Sequence, residues 1–262
     1  MKKAFFLPVI FLLVSCRPAS VDDLMQSVTW IDLSHDFDSN TVHWPTNQKF
    51  YHDTVTCGIN VKGYFYSSFR YGGEEHVGTH FDAPLHFRQG GEGVEKIGIE
   101  RLHGPAVVIN VANQAEENHD YQVSVADFEK WEEVHGTIPA GSVILLNTGW
   151  GKYWNDHLKY TGTLKSGPEG IRELHFPGLD PAAAAWLSSS RKVIAVGLDT
   201  PSIDNGPSTE FMSHRTLCAA GITIYENVAN LDKLPPRGAY AVALPMKIKG
   251  GSGAPLRIVG VY

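Results

Sequence analysis

His76-Val-Gly-Thr-His80-Phe-Asp82-Ala-Pro-Leu-His86 places three imidazoles and one carboxylate within eleven residues. Gly78 and Pro84 interrupt any continuous helix, because glycine favours loop geometry and proline drives Ala83 towards extended backbone. Side chains alternate along an extended chain, and His76, His80, Asp82 and His86 all share one parity. Imidazole nitrogen and carboxylate oxygen are the usual ligands for zinc and also suit manganese. Three of the four would hold an ion and leave one histidine free to move protons.

Upstream of this stretch, Tyr64 to Tyr71 reads as an aromatic strand with rings on both faces, a pattern expected of core. Further upstream, Trp30-Ile-Asp-Leu-Ser-His35 reads as a strand running into a loop that carries Thr41-Val-His-Trp44-Pro45. Downstream, the apolar runs Ala106–Val111, Ser142–Asn147, Lys192–Leu198 and Ile222–Glu226 predict strands, and Tyr240–Leu244 and Leu256–Val261 add two more. Ser124-Val-Ala-Asp127 matches a capping box opening one helix. Asp180-Pro181 opens a second, with Asp as the cap and Pro at its first position. Ser208 is placed to cap a third, which carries Phe211 and His214 and stops at Gly221. Gly151 to Phe176 is a long aperiodic segment of the kind that forms lids or binding walls. Strands alternating with helices predict an α/β fold with a mixed sheet.

The bulk composition narrows the function. A hydrophobic share of 43% with 19% charged residues fits an ordinary globular protein. The formal net charge is −6 and no basic cluster occurs, which argues against nucleic acid as a partner. Lys2 and Lys3 precede an apolar run from Ala4 to Val14, too short to span a bilayer and typical of a signal-peptide core. Leu13-Val-Ser-Cys16 looks like a bacterial lipobox. Residues 1–15 are therefore expected to be a signal peptide, Cys16 the lipidated first mature residue, 16–26 a tether and 27–262 one domain. An exported protein held at the bacterial cell envelope by its N-terminal lipid follows. Cys57 and Cys218 then lie in a compartment that permits a disulfide. There is no Gly-x-Ser-x-Gly elbow to support a serine hydrolase.

Several separated pieces together resemble the cyclase family of metal-dependent hydrolases, which includes bacterial kynurenine formamidase and isatin hydrolase. They are Ile31-Asp-Leu-Ser-His35, His76-x-Gly-Thr-His80-x-Asp82-x-Pro-x-His86, Gly197-Leu-Asp-Thr-Pro-Ser202, His214 with Glu226 twelve residues on, and Ala243-Leu-Pro-Met-Lys247 followed by Gly250-Gly. The resemblance implies a swivelling β/β/α domain, commonly dimeric. It implies His76, His80 and Asp82 as metal ligands, joined by His214 and Glu226, with His86 as the general acid–base residue. It also implies that Trp44 lines the substrate pocket, although Trp44-Pro45-Thr46-Asn47 departs from the family's Trp-Pro-Gly-acidic pattern.

The chemistry of these residue types agrees with that reading. A divalent ion polarises a carbonyl and brings the pKa of bound water to about 7. Five ligands exceed what one tetrahedral Zn²⁺ with an open position needs. Either two ions share them, with Asp82 or Glu226 bridging, or one Zn²⁺ or Mn²⁺ uses a subset. Trp44, Phe81 and the Gly151–Phe176 segment would supply aromatic walls, which suit a flat aryl or cyclic amide. Export points to an external aryl amide, lactam or lactone as substrate. The competing readings are an ester or lactone hydrolase of the same family and a catalytically silent metal-binding surface lipoprotein. A pure binder has no need of an unliganded His86.

Overall fold

The apolar runs fold as strands that find a partner for both of their faces. The computed structural model describes residues 20–262; the expected signal peptide and Cys16 lie outside the described residues. The strands run in the order β1 (Trp30–Asp32), β2 (Tyr51–Ile59), β3 (Phe65–Gly72), β4 (His80–Asp82), β5 (His103–Asn110) and β6 (Gln122–Val123). They continue as β7 (Val143–Asn147), β8 (Gly178–Leu179), β9 (Ala195–Leu198), β10 (Thr223–Glu226), β11 (Ala239–Pro245) and β12 (Gly253–Val261). The helices are α1 (Val21–Ser27), α2 (Ala112–Glu117), α3 (Val125–His135), α4 (His157–Thr161), α5 (Gly167–Arg172), α6 (Pro181–Ser190) and α7 (Met212–Ala219).

The mixed sheet expected from the sequence is closed. β5, β7, β9 and β10 are parallel neighbours, β4 runs antiparallel to β10, and β12 bridges β4 to β11, which returns to β5. The result is a seven-stranded mixed β-barrel within an α/β fold. One strand makes closure possible. Gly253–Pro255 of β12 pair with β4, while Val259–Val261 of the same strand take on β1.

Alternation divides each strand between two cores. Ala106, Val108, Val143, Leu145, Ala195, Tyr225 and Phe81 pack in the barrel interior. Val107, Ile109, Ile144, Leu146, Val196, Leu198 and Ile224 pack outside it, with Phe128 of α3, Leu187 of α6 and Leu217 of α7. This explains the near-continuous apolar runs, since strands buried on both faces have no solvent side. Each such Val, Leu or Ile contributes about 1.5–3 kcal/mol by its burial. Gly197 marks a close inward position: a Cβ there would sit 3.1 Å from Cβ of Tyr225.

The caps of α3 and α6 are those the sequence predicts. Ser124 and Asp127 form the reciprocal capping box, and the Asp180 carboxylate accepts from Ala182 N at 2.7 Å and Ala183 N at 3.2 Å. The start of α7 differs. Ser208 does not cap it; the chain enters through Phe211 in the left-handed region at φ 51°. The first-turn amides of Ser213 and His214 instead donate to Asp204, at 2.9 and 3.1 Å.

Within the expected tether the chain is helical from Val21, and α1 buries none of its residues. Two further expectations are corrected. The Gly151–Phe176 segment is not an open lid: α4, α5 and a turn at Trp150 wrap a cluster of Trp150, Tyr160, Leu174, Phe176 and Val42. Its helices are one to two turns long, too short to show a 3.6-residue period. The aromatic strand β3 is not core, because it pairs only with β2 and both faces meet solvent. Cys57 is exposed in β2, Cys218 is buried in α7, and both are free thiols.

Candidate metal centre and its cavity

The register of β4 on β10 sets His80 opposite Glu226 and Asp82 opposite Ile224. Alternation therefore places His80, Asp82 and Glu226 on the outer face of the barrel, towards α7, and sends Phe81 inward. Phe81 is fully buried, with its ring 5.5 Å from that of Tyr225; it is core and not the cavity wall expected of it. α7 crosses the outer face and lays His214 over Glu226. His76 and His86 arrive from irregular backbone on either side of β4. Gly78 reverses the chain at φ +58°, where a Cβ would lie 2.7 Å from the Phe37 ring, and Pro84–His86 form a 3₁₀ turn. Shared parity therefore accounts for His80 and Asp82, while the two bends bring in the flanking histidines.

Hydrogen bonds fix which nitrogen each imidazole turns inward. His80 Nδ1 lies 2.8 Å from the Gly78 carbonyl, which only accepts, so Nδ1 donates and Nε2 keeps its lone pair. That Nε2 is 3.1 Å from Glu226 Oε2 and 3.4 Å from Asp82 Oδ1. His214 Nδ1 donates to Asp204 Oδ2 at 2.7 Å, which turns Nε2 to within 3.0 Å of Glu226 Oε1 and 3.4 Å of Asp82 Oδ2. The Ser252 hydroxyl donates to Glu75 Oε2 at 2.7 Å, so it accepts from His76 Nε2 at 3.0 Å. His76 Nδ1 is then left 2.7 Å from Asp82 Oδ1. Gly253 makes this approach possible, since a Cβ there would come within 2.4 Å of His76 Cε1.

Three lone pairs thus face two buried carboxylates, an arrangement that requires positive charge among them. Burial lowers the pKa of His80, but the Glu226 carboxylate beside Nε2 and the charge of Asp82 overcome this and raise it to about 9. His214 is likewise raised well above the ordinary imidazole value, its burial outweighed by Glu226, Asp204 and Asp82. Asp82 and Glu226 are held low, again against burial, by the surrounding imidazoles. His80 Nε2 and Asp82 Oδ2 are buried with no hydrogen-bond partner. A divalent cation would satisfy every one of these atoms. The anchors on the far nitrogens, Gly78 O, Asp204 and Ser252, are those that commonly orient metal-binding histidines. Two groups have donor atoms all within 4.8 Å of one another: His76, His80 and Asp82, and Asp82, His86 and His214. Asp82 belongs to both.

His86 stands apart in its contacts. Its ring stacks on His76 at 3.8 Å, and among the described residues nothing hydrogen-bonds to its side chain. Burial lowers its pKa to about 4, so the ring is neutral at pH 7. His86 borders a cavity of about 190 Å³, walled by Trp44, Phe87 and Phe211 and floored by His80, His214 and Glu226. Trp44 therefore lies on the wall, with its ring 6.1 Å from that of Phe211. No residue of 151–176 borders this cavity.

Sequence reasoning passed over Phe87, Phe211, Ser202 and Asp204. Phe87 follows His86 directly, and Phe211 precedes His214 by one helical step, so both had a positional signal. Asp204 had none, because its cap acts over nine residues. Ser202 lines the cavity with a buried hydroxyl that has no hydrogen-bond partner. The first-strand motif ends elsewhere: His35 stacks on Trp154 at 3.9 Å, and burial lowers its pKa to about 4.

The chemistry such a cluster supports is metal-assisted hydrolysis. The chain belongs to the cyclase family: the family model described as "Putative cyclase" matches residues 31–205. It is related to known hydrolases. It is 32% identical over 195 residues to isatin hydrolase of Roseibium aggregatum, covering 71% of this chain and 72% of that protein. It is 28% identical over 233 residues to kynurenine formamidase of Geobacillus thermodenitrificans, covering 87% and 95%. The solved structure of isatin hydrolase A from Labrenzia aggregata bound to benzyl benzoate aligns with a TM-score of 0.83 at 30% identity, covering 93% of this chain and 99% of that one.

Proposed function

We propose that this protein is a metal-dependent hydrolase that opens the C–N bond of a small aryl or cyclic amide. The observation that carries the proposal is the set of three imidazoles locked with their lone pairs towards Asp82 and Glu226, at the floor of an aromatic cavity. His76, His80, Asp82, His214 and Glu226 would hold one or two Zn²⁺ or Mn²⁺ ions. When bound, such an ion polarises a carbonyl and acidifies water.

The chain's own residues supply the rest. Trp44, Phe87 and Phe211 offer ring faces and edges on which a flat aryl group stacks. The cavity of about 190 Å³ is below the ~300–1,000 Å³ of sites for drug-sized ligands, so the substrate is one or two fused rings. His86, neutral and free of protein hydrogen bonds, takes the proton from the attacking water and returns it to the departing nitrogen. The isatin hydrolase and kynurenine formamidase relatives support an aryl C–N substrate. The swivelling β/β/α description, export, and lipid anchoring at Cys16 complete the proposal and make an external substrate the natural one.

A panel of isatin, N-formylkynurenine, simple lactams and lactones, assayed with and without chelator, tests it. Chelator-sensitive hydrolysis of an aryl amide or lactam is the expected result. Turnover confined to lactones would replace the amide reading with the ester one. Turnover untouched by exhaustive chelation would overturn the metal reading.

A further inference from the structure

The segment 151–176 stays off the cavity, yet one of its residues reaches the back of the metal centre. Tyr160 of α4 is fully buried. Its backbone carbonyl accepts from Trp150 Nε1 at 2.8 Å, and its ring stands edge-on to Trp154 with centroids 5.4 Å apart. Trp150, Leu174 and Phe176 close around it. This packing directs the phenol hydroxyl at two acceptors, Asn227 Oδ1 at 2.9 Å and the Asp199 carbonyl at 3.1 Å.

Asn227 passes the contact on. Its Nδ2 donates to the Gly78 carbonyl at 2.7 Å, the same oxygen that accepts from His80 Nδ1 at 2.8 Å. Both lone pairs of that carbonyl are therefore used, and its direction is fixed from two sides. Tyr160 in turn fixes Asn227: with a donor at Oδ1 and an acceptor at Nδ2, the amide has one orientation that satisfies both ends. The backbone of Asn227 grips the same turn, since its carbonyl accepts from Thr79 Oγ1 at 2.7 Å. Asn227 sits at φ 54°, a left-handed geometry that asparagine adopts more readily than most side chains. It follows Glu226 directly, so one residue ties the end of β10 to the turn that enters β4.

We infer that Tyr160 and Asn227 are positioning residues of the metal centre: through the Gly78 carbonyl they hold the His80 ring so that Nε2 points at Asp82 and Glu226. The whole relay is buried, where hydrogen bonds are electrostatically stronger than in water. A ring kept only for its apolar surface gains nothing from a buried hydroxyl, which costs free energy unless it is paired. The relay also gives the 151–176 segment a function: its aromatic cluster aims one hydroxyl. Asn227 itself borders the cavity, so its part in the relay has to be read in the absence of substrate.

The inference rests on the metal-dependent reading for its affinity measurement alone. Zn²⁺ affinity of the purified full chain, measured by competition with a chromophoric chelator, should fall about 10–100-fold in Asn227→Gly, which keeps the left-handed backbone accessible. Tyr160→Phe keeps the ring and removes one oxygen, and should lower the affinity about tenfold. A second measurement needs neither metal nor substrate. In the metal-free chain labelled with ¹⁵N-histidine, the His80 Nδ1 proton is identified by its loss in His80→Ala. It should exchange with solvent about tenfold faster in both variants, as expected when a supporting hydrogen bond is lost. Far-ultraviolet spectra like that of wild type establish that the variants fold; should Asn227→Gly not fold, Tyr160→Phe decides by itself. Both readouts unchanged in Tyr160→Phe would overturn the role given to Tyr160, and both unchanged in Asn227→Gly would overturn the relay as a whole. A wild type that binds no Zn²⁺, with faster exchange in the variants, would contradict the metal reading and uphold the hold on the His80 ring.

Discussion

The β2–β3 arm and the histidine stretch that follows it invert the usual distribution of residues. In the arm, Phe65, Phe69 and Tyr71 face water. A few residues later His80 and Asp82 are buried, with the carboxylates of Glu226 and Asp204 beside His80 and His214. Apolar surface is left exposed in the arm, and charge is buried in the cluster where opposite charge lies beside it. The difference lies in the surroundings: the arm's rings meet solvent, while the cluster's imidazoles meet carboxylates.

The comparison is sharpened most by removing the one imidazole in the buried region that is free of hydrogen bonds. His86→Ala should lower kcat by 10²–10⁴-fold, the usual contribution of a general acid–base group, with KM nearly unchanged. Steady-state kinetics on the active substrate decides this, and near-full kcat across pH 6 to 9 would demote His86 to packing.

A smaller effect is expected at Gly253, which the cluster needs bare. Gly253→Ala would drive a methyl into the His76 ring and the Phe81 carbonyl, so we expect about 1–3 kcal/mol lost in urea unfolding, the common cost of overpacking. Unchanged stability and metal content would mean that His76 has room to shift.

Ser202→Ala removes the unpartnered hydroxyl of the cavity wall. We expect about a tenfold fall in kcat/KM, one hydrogen bond's worth at ~1.4 kcal/mol per decade, with stability held or slightly raised because no partner is orphaned. Unaltered kcat/KM would exclude a substrate contact there.

The smallest effect belongs to an ordinary ion pair that is part of neither region. Arg191 binds Glu132 through Nε and Nη2, both at 2.7 Å, tying α3 to the end of α6. This hydrogen bond holds the Glu132 pKa below the ordinary carboxylate value. A depressed folded-state pKa gives stability that is present above the unfolded value and lost as pH falls through the folded one. Glu132→Gln should therefore cost about 1 kcal/mol at pH 7. The gap from wild type should close below pH ~4 in thermal unfolding; a gap that persists there would assign the loss to packing.

Most strands, the three long helices and most of the cluster were legible because their signals are local; β2, β6 and β8 and the cap of α7 were not. Apolar runs marked the strands, capping residues marked α3 and α6, and histidine spacing marked β4 and its flanks. Barrel closure was not legible, since it depends on β12 serving β4 and β1 from one edge. Asp204 escaped for the same reason: its partners at Ser213 and His214 lie nine and ten residues away, beyond any capping box. Phe81 and β3 were misplaced because aromatic content does not say which face of a strand it occupies. Register says that, and register is a tertiary property.

The central claim is that the inward lone pairs of His76, His80 and His214 await a cation. Elemental analysis of the purified chain, His80→Ala and His86→Ala tests it most directly. We expect one or two equivalents of Zn²⁺ or Mn²⁺ in the wild type, retention in His86→Ala and loss in His80→Ala. A metal-free wild type after growth and purification with both metals supplied would contradict the account, and equal loss in both variants would make His86 a ligand.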